Sequence, residues 1–135
     1  MLISRVTYTK NLRCESLHLK SGSKILTDAP TDNKGKGEAF SPTDLAATSL
    51  ANCMITIMGI LIQEKDLAVS EIKADVHKHM AAEPRRISKI EVFLNIKGEN
   101  LSEKDKKMLE NAAKNCPVAL SLHPEAIQAV KFSFS

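Results

Sequence analysis

The feature that most constrains this chain is an uncharged stretch in its middle: from Leu45 to Gln63 no residue carries a charge. The residues before it predict a helix start, because Ser41 can cap a helix, Pro42 suits its first turn and Asp44 places negative charge there. A helix that is apolar on nearly every side is buried on nearly every side. We therefore predict a long buried helix at the centre of the fold.

The same stretch approaches the length of a membrane span, so a transmembrane helix is the alternative. No second stretch of this kind occurs in the sequence, and polar or small residues interrupt this one, namely Thr48, Ser49, Asn52, Thr56 and Gly59. These observations disfavour a membrane protein. Because a small domain has little surface with which to wrap such a helix, we predict that a second subunit covers part of it.

The segment before the helix predicts an antiparallel strand meander followed by a loop. Apolar and polar residues alternate in three extended pieces, which are residues 2–9, 14–22 and 24–30. Residues 31–40, "TDNKGKGEAF", contain two glycines, many polar residues and no period, as is typical of a loop. The length of this loop suggests that it covers or lines something.

The segment after the helix predicts a hairpin, two helices and a final strand. Period-two patterns flank "AAEPRR", and Ser102 followed by Asp105 resembles a capping box that opens a helix. "PVALSL" can start a short helix with Pro117 in its first turn, and "IQAVKFSFS" closes the chain as a strand. The sequence therefore predicts an α+β fold in a single domain, residues 1–135.

The composition excludes several classes of function. With 43% hydrophobic residues, 26% charged residues and a net charge of +3, the chain resembles an ordinary globular protein. The basic runs "KDKK" and "PRR" are short and lack interleaved aromatic residues, which disfavours nucleic-acid binding. The N-terminal sequence "MLISRVTYTK" lacks the pattern of a secretory signal, so we expect a cytoplasmic protein.

Three cysteines, Cys14, Cys53 and Cys116, carry the candidate chemistry. Their spacing matches no zinc pattern, and in a reducing compartment we expect free thiols. Cys116 directly precedes Pro117, and a position at a helix start would favour its thiolate. Each cysteine has an alternative interpretation as a small core residue, and Cys14 is interpreted as structural or incidental.

Cys53 falls in the middle of the predicted helix, where the helix dipole acts weakly. Activation of its thiol would need a cation from elsewhere, and Arg13 and Arg5 on the predicted strands are the candidates. The pair "HKH" could hold a metal but more often forms a solvated strand face, and no phosphate loop, dinucleotide fingerprint or metal-binding helix motif is present. We predict no metal and no cofactor.

The stretches "FSPTDLAATSLANCMITIMGI" and "NCPVALSLHPE" resemble the OsmC/Ohr family, the osmotically inducible and organic hydroperoxide resistance proteins. The resemblance covers nearly the whole chain and implies an intertwined α+β homodimer, with antiparallel sheets around the long buried helix. It implies that Cys53 is the peroxidatic thiolate and Cys116 the resolving thiol. The implied reaction is reduction of a hydroperoxide, after which an external dithiol reduces the Cys53–Cys116 disulfide.

The sequence departs from the family pattern at Thr43. Peroxidase members have a Glu at this position, which pairs with an Arg from the N-terminal strands. Here Arg13 is the expected arginine, and Glu38 or Asp44 would have to hold it. Two alternatives to a peroxidase stay open, which are a non-catalytic dimer that binds a small molecule or thiol, and a hydrolase that uses Cys116 with His123.

Overall fold

A computed structural model describes all 135 residues. The chain divides into two compact units, Met1–Ala46 and Ala47–Ser135. The first unit holds an antiparallel meander in the order β1-β2-β3, with β1 at Ser4–Tyr8, β2 at Arg13–His18 and β3 at Lys24–Asp28. The predicted meander is therefore confirmed.

The loop after β3 folds back on the end of that strand. It begins with one 3₁₀ turn at Thr31–Asn33, and a side chain at Gly35 would collide with the carbonyl group of Ala29. Glycine permits this close approach because it has no Cβ atom. The return brings the backbone N–H of Glu38 to 3.1 Å from Oδ2 of Asp28.

The first unit buries no apolar side chain. Its buried residues are Thr27, Asp28 and Ser41, all polar. Apolar side chains of the meander are exposed instead, among them Val6, Tyr8, Ile25 and Leu26. A three-stranded sheet needs a covered apolar face to be stable on its own. The sheet in this single chain lacks one.

Helix α1, Pro42–Lys65, begins where the sequence predicts. Ser41 accepts from the Asp44 N–H at 3.0 Å, and the Asp44 carboxylate accepts from the Ser41 N–H at 2.9 Å, which closes a capping box. Its buried residues are Ala47, Leu50, Ala51, Met54 and Met58. The opposite face, with Asn52, Thr56 and Ile60, is exposed. The helix in this chain is buried on one side only.

The second unit contains the remaining elements: β4 (Val69–Ala81), β5 (Arg86–Gly98), α2 (Glu103–Lys114), α3 (Pro117–Ser121) and β6 (Ile127–Phe134). The sheet order is β4-β5-β6, and the predicted hairpin, capped helix, short helix and final strand are all confirmed.

One detail of the fold differs from the expectation of antiparallel sheets, because β6 runs parallel to β5. The connection between them contains α2 and α3, so the chain crosses back before it pairs again, and such a crossover delivers a parallel strand. The second sheet is therefore mixed, within the α+β class that the sequence predicts.

The apolar core lies in the second unit. Met54 and Met58 of α1 pack with residues of β5 and with Leu109 of α2, and all of these side chains are fully buried. By length and composition α1 is the one helix that could cross a membrane. Its buried face is part of this core, which identifies it as a core helix.

Candidate functional site

Two of the three cysteines meet in the second unit. Cys53 lies in α1 and packs against the core cluster that contains Cys116, the N-cap residue of α3, and the proximity of Cys53 helps to raise the pKa of Cys116. Cys53 is half-buried, whereas Cys116 is fully buried. All three cysteines are free thiols in this structure. The fold thus brings together the two sulfur atoms to which the family resemblance assigns a redox role.

Local sequence explains the position of Cys116. Helix α2 ends at Lys114, and Pro117 lies in the first turn of α3. Proline is tolerated there because a backbone N–H in the first turn of a helix has no partner within the helix. The Cys116 sulfur accepts from the Ala119 N–H at 3.5 Å and so acts as the helix cap. Gln128 of β6 donates to the Ala119 carbonyl at 2.8 Å, which ties α3 to the sheet.

The electrostatics of Cys116 run against the expectation of an acidic thiol at a helix start. Burial is the main cause that raises its pKa, and the N–H groups of Ala119 and Val118 lower it only in part. The proximity of Cys53 raises it further. Burial disfavours the charged form of any thiol. The Cys116 thiol is therefore harder to deprotonate than an exposed thiol.

Arg13 lies at the start of β2 in the first unit, where its guanidinium contacts two carboxylates. Its Nε donates to Oδ1 of Asp28 at 2.7 Å and its Nη2 donates to Oδ2 at 2.8 Å, a two-pronged pair. Nη2 also donates to the Glu38 carboxylate at 3.2 Å. The Arg13 hydrogen bond holds the pKa of the Asp28 carboxyl below its usual range, and the same pair raises the pKa of Arg13.

The turn before Arg13 has an unusual backbone. Lys10, Asn11 and Leu12 all have positive φ, at 78°, 54° and 61°. A left-handed conformation costs a non-glycine residue about 1–2 kcal/mol. The turn is closed by hydrogen bonds from the Arg13 N–H to Lys10 and from the Ala29 N–H to Leu12. These hydrogen bonds thus hold the backbone just before Arg13 in a conformation that is unfavourable for non-glycine residues.

The predicted carboxylates have different positions. Glu38 contacts Arg13, as one of the two alternatives predicts, whereas the carboxylate of Asp44 completes the capping box of α1. Sequence reasoning missed Asp28. A signal was present, because Gly22 marks a turn between β2 and β3, and the hairpin that forms there, centred between Lys20 and Ser21, pairs Arg13 with Asp28.

The other candidates do not form a site. No hydrogen bond joins Cys116 to His123, whose Nδ1 accepts from the Glu125 N–H at 3.1 Å. His79 pairs with Glu91 at 2.6 Å, and the edge of the His77 ring contacts Phe93. No group of three or more His, Cys, Asp or Glu side chains could hold a metal ion.

Comparison with known proteins agrees with this architecture. The family model "OsmC-like protein" matches residues 35–129. A crystal structure from Psychrobacter arcticus 273-4, described as an osmotic stress induced and detoxification response protein, is 48% identical, with a TM-score of 0.92 over 98% of this chain and 96% of the other. No curated protein matches the sequence.

More distant structures share the fold. An OsmC-like protein from Mycoplasma pneumoniae is 16% identical, with a TM-score of 0.80 over 97% of this chain and 94% of that one. An organic hydroperoxide resistance protein, OsmC, from Legionella pneumophila is 17% identical, with a TM-score of 0.73 over 98% and 96% of the two chains. From the family match and the 48% identical structure together, we conclude that this chain belongs to the OsmC family.

Proposed function

We propose that this protein is a thiol-dependent peroxidase that reduces organic or inorganic hydroperoxides through Cys53 and Cys116. The proximity of the two side chains, which pack in one apolar cluster and through which Cys53 helps to raise the pKa of Cys116, is the observation that carries the proposal. A disulfide requires two cysteines in close proximity, and here the fold brings together residues that are far apart in the sequence. Support also comes from a relative that is described as an organic hydroperoxide resistance protein.

The proposed reaction has three steps. The Cys53 thiol loses its proton, and the thiolate attacks one peroxide oxygen. The O–O bond breaks, the leaving alkoxide takes up a proton to become an alcohol, and Cys53 becomes a sulfenic acid. The Cys116 thiol then attacks the Cys53 sulfur and water leaves, which forms the disulfide. An external dithiol supplies the two electrons that restore both thiols.

Arg13 is the proposed cation for this chemistry, since a guanidinium stabilises a thiolate or a developing alkoxide by charge-assisted hydrogen bonds. Glu38 is a proposed partner of Arg13, in line with their 3.2 Å contact. Asp44 contributes indirectly, because its capping box fixes the start of the helix that carries Cys53. Family peroxidases have Glu at the position of Thr43, and the uncharged threonine side chain cannot form an ion pair with Arg13.

We also propose a cytoplasmic homodimer. The exposed apolar side chains of the meander and the half-exposed Ile60 of α1 are surfaces that a second copy would cover. Such a dimer gives the first unit the apolar cover that it lacks within one chain.

Titration of the reduced protein with tert-butyl hydroperoxide tests the proposed reaction. We expect loss of the Cys53 and Cys116 thiols, a Cys53–Cys116 disulfide in peptide maps and retention of the Cys14 thiol. Cys53→Ser should abolish thiol loss, and Cys116→Ser should stop at a sulfenic acid on Cys53 that dimedone traps. Thiols that stay unchanged under excess hydroperoxide would refute the peroxidase and favour a non-catalytic thiol-binding dimer.

A further inference from the structure

We propose that Gln128 is the positioning residue for Cys116, because it ties helix α3 to strand β6 and so holds the Cys116 sulfur where it can attack an oxidised Cys53. The inference rests on the proposed function, since it concerns the resolving step of that reaction. All of the residues involved lie in the second unit, Ala47–Ser135.

Gln128 is the polar member of an otherwise apolar strand face. Side chains alternate along β6, so Gln128 shares a face with Val130, Phe132 and Phe134, which pack against the apolar core. A polar group at such a position loses hydration and needs a hydrogen-bond partner. The Gln128 Nε2 donates to the Ala119 carbonyl at 2.8 Å. The amide group thus has a specific partner in α3.

Ala119 links Gln128 to Cys116. Its carbonyl accepts from Gln128, and its own N–H donates to the Cys116 sulfur at 3.5 Å. Ala119 and Cys116 are both buried. A shift of Ala119 therefore moves the donor that holds the sulfur, and Gln128 acts on the sulfur through one intervening residue.

Helix α3 needs such a tie because it is short. It contains only five residues, Pro117–Ser121, and a helix of this length is not stable without tertiary packing. Val118 and Leu122 pack against the core, but burial of apolar groups has no preferred direction. A hydrogen bond does have one, because it weakens steeply away from linearity. The contact with Gln128 thus fixes how α3 is placed on the sheet.

Placement matters at this sulfur because a disulfide has a strict geometry. The S–S bond is about 2.05 Å long and the dihedral angle about it is close to 90° in either direction. Cys53 lies within α1, a helix of 24 residues, whereas Cys116 caps the five-residue α3. Because α3 is the smaller element, its attachment to the sheet decides whether the two sulfurs can meet in that geometry.

The first experiment measures the two chemical steps of the reaction separately. Loss of tert-butyl hydroperoxide gives the rate of the Cys53 step, and dimedone trapping over time gives the lifetime of the sulfenic acid. Gln128→Leu keeps a similar side-chain volume but removes the donor. We expect it to slow conversion of the sulfenic acid to the disulfide by roughly tenfold, since misplaced reacting groups react slowly. The Cys53 step should keep the wild-type rate.

Two variants serve as matched controls. Gln63→Leu makes the same change at an exposed position of α1. Ser121→Ala removes the hydrogen bond from the Ser121 hydroxyl to the Pro117 carbonyl at 2.7 Å, which lies within α3 and does not tie it to the sheet. Both variants should resolve the sulfenic acid at close to the wild-type rate. Circular dichroism and urea unfolding establish that each variant is folded.

Gln128→Glu tests the hydrogen bond through its pH dependence. An ionised carboxylate has no proton to donate to the Ala119 carbonyl, so the resolving step should be slow at pH 7. As the pH falls towards about 4.3, the ordinary pKa of Glu, the carboxyl group gains a proton and can donate. The resolving rate divided by the wild-type rate at the same pH should therefore rise in Gln128→Glu and stay low in Gln128→Leu.

A second measurement needs no hydroperoxide. Equilibration with reduced and oxidised dithiothreitol gives the equilibrium constant for the Cys53–Cys116 disulfide, which reports how well the two thiols are placed. We expect Gln128→Leu to lower this constant by roughly tenfold, which corresponds to about 30 mV for a two-electron couple. If the wild-type protein ignores hydroperoxides but shows this difference, the proposed function fails and the role of Gln128 stands.

Four results would overturn the inference. One is a folded Gln128→Leu variant with the wild-type resolving rate and disulfide equilibrium. Another is equal slowing of both chemical steps, or an equal loss in Ser121→Ala, either of which would reduce Gln128 to a structural residue. The third is a Gln128→Glu variant whose rate relative to wild type is the same at every pH. The fourth is a wild-type protein that forms no Cys53–Cys116 disulfide in the dithiothreitol equilibrium.

Discussion

The two units of this protein bury opposite kinds of residue. The first unit, Met1–Ala46, has no buried apolar side chain, and its buried residues include Asp28 paired with Arg13. The second unit, Ala47–Ser135, holds the entire apolar core, and Cys116 lies within it. The first unit holds the Arg13 guanidinium in an ion pair, and the second unit buries the Cys116 sulfur.

The contrast indicates why the two kinds of group are separated along the chain. An apolar core raises the pKa of Cys116 because burial disfavours the thiolate, and the proposed mechanism asks for such a resolving thiol, which keeps its proton until Cys53 is oxidised. A guanidinium, in contrast, needs carboxylate partners and solvent nearby, which the meander provides. The predictions below test this contrast.

The largest effect should come from truncating the core. We expect Leu50→Ala to lower the free energy of unfolding by about 2–5 kcal/mol, since Leu50 is fully buried. Val6→Ala, in the exposed meander, should change it by less than about 0.5 kcal/mol at protein concentrations low enough for the chain to be monomeric. Urea unfolding measures both. A large loss for Val6→Ala that disappears on dilution would show that a second copy covers the meander, and the contrast would then hold only for the isolated chain.

A smaller loss is expected at the helix cap in the second unit. Cys116→Ala removes the sulfur that accepts from the Ala119 N–H, and loss of a cap costs about 0.5–2 kcal/mol of unfolding free energy. Cys116→Ser is the matched control, because its hydroxyl keeps an acceptor at this position. Urea unfolding under reducing conditions compares the two. Equal stability of the two variants would contradict the capping role of the side chain.

The strained turn of the first unit should respond in the opposite direction. Leu12→Gly relieves a left-handed residue, and we expect a gain of up to about 1 kcal/mol in unfolding free energy, reduced by the greater freedom of glycine in the unfolded chain. The hydroperoxide rate should fall at the same time, because Arg13 follows directly. A variant that is more stable and equally active would show that the left-handed turn does not contribute to the activity through Arg13.

The smallest effect should be the pH dependence that Asp28 confers. Its pKa is lowered in the folded state, chiefly by the hydrogen bond from Arg13, so the stabilisation is fully present above the unfolded value of about 3.9 and declines as the pH falls below it. Solvent screens the pair, because Arg13 is one-third exposed. The difference in unfolding free energy between wild type and Asp28→Asn should therefore narrow below about pH 3.9. A difference that is constant with pH would argue against the ion pair.

Local signals explain how much of the fold was predictable. The start of α1 follows from Ser41, Pro42 and Asp44, and the capping box of α2 from Ser102 and Asp105, because each depends on residues within one turn. The parallel pairing of β6 was not predictable in the same way, since strand alternation is identical in the two directions. Incomplete cover of α1 within one chain was predicted, but which face of the helix is exposed was not, because an uncharged sequence does not say which side meets other elements.

The sequence by itself determined the central helix, the meander, the strand and helix order and the two cysteine contexts, because these depend on neighbouring residues and on short periodic patterns. Only the tertiary structure decided that Cys53 and Cys116 pack in one apolar cluster, that Cys116 is fully buried, and that Asp28 pairs with Arg13. Such contacts depend on register and on how distant segments pack, which no short stretch of sequence encodes.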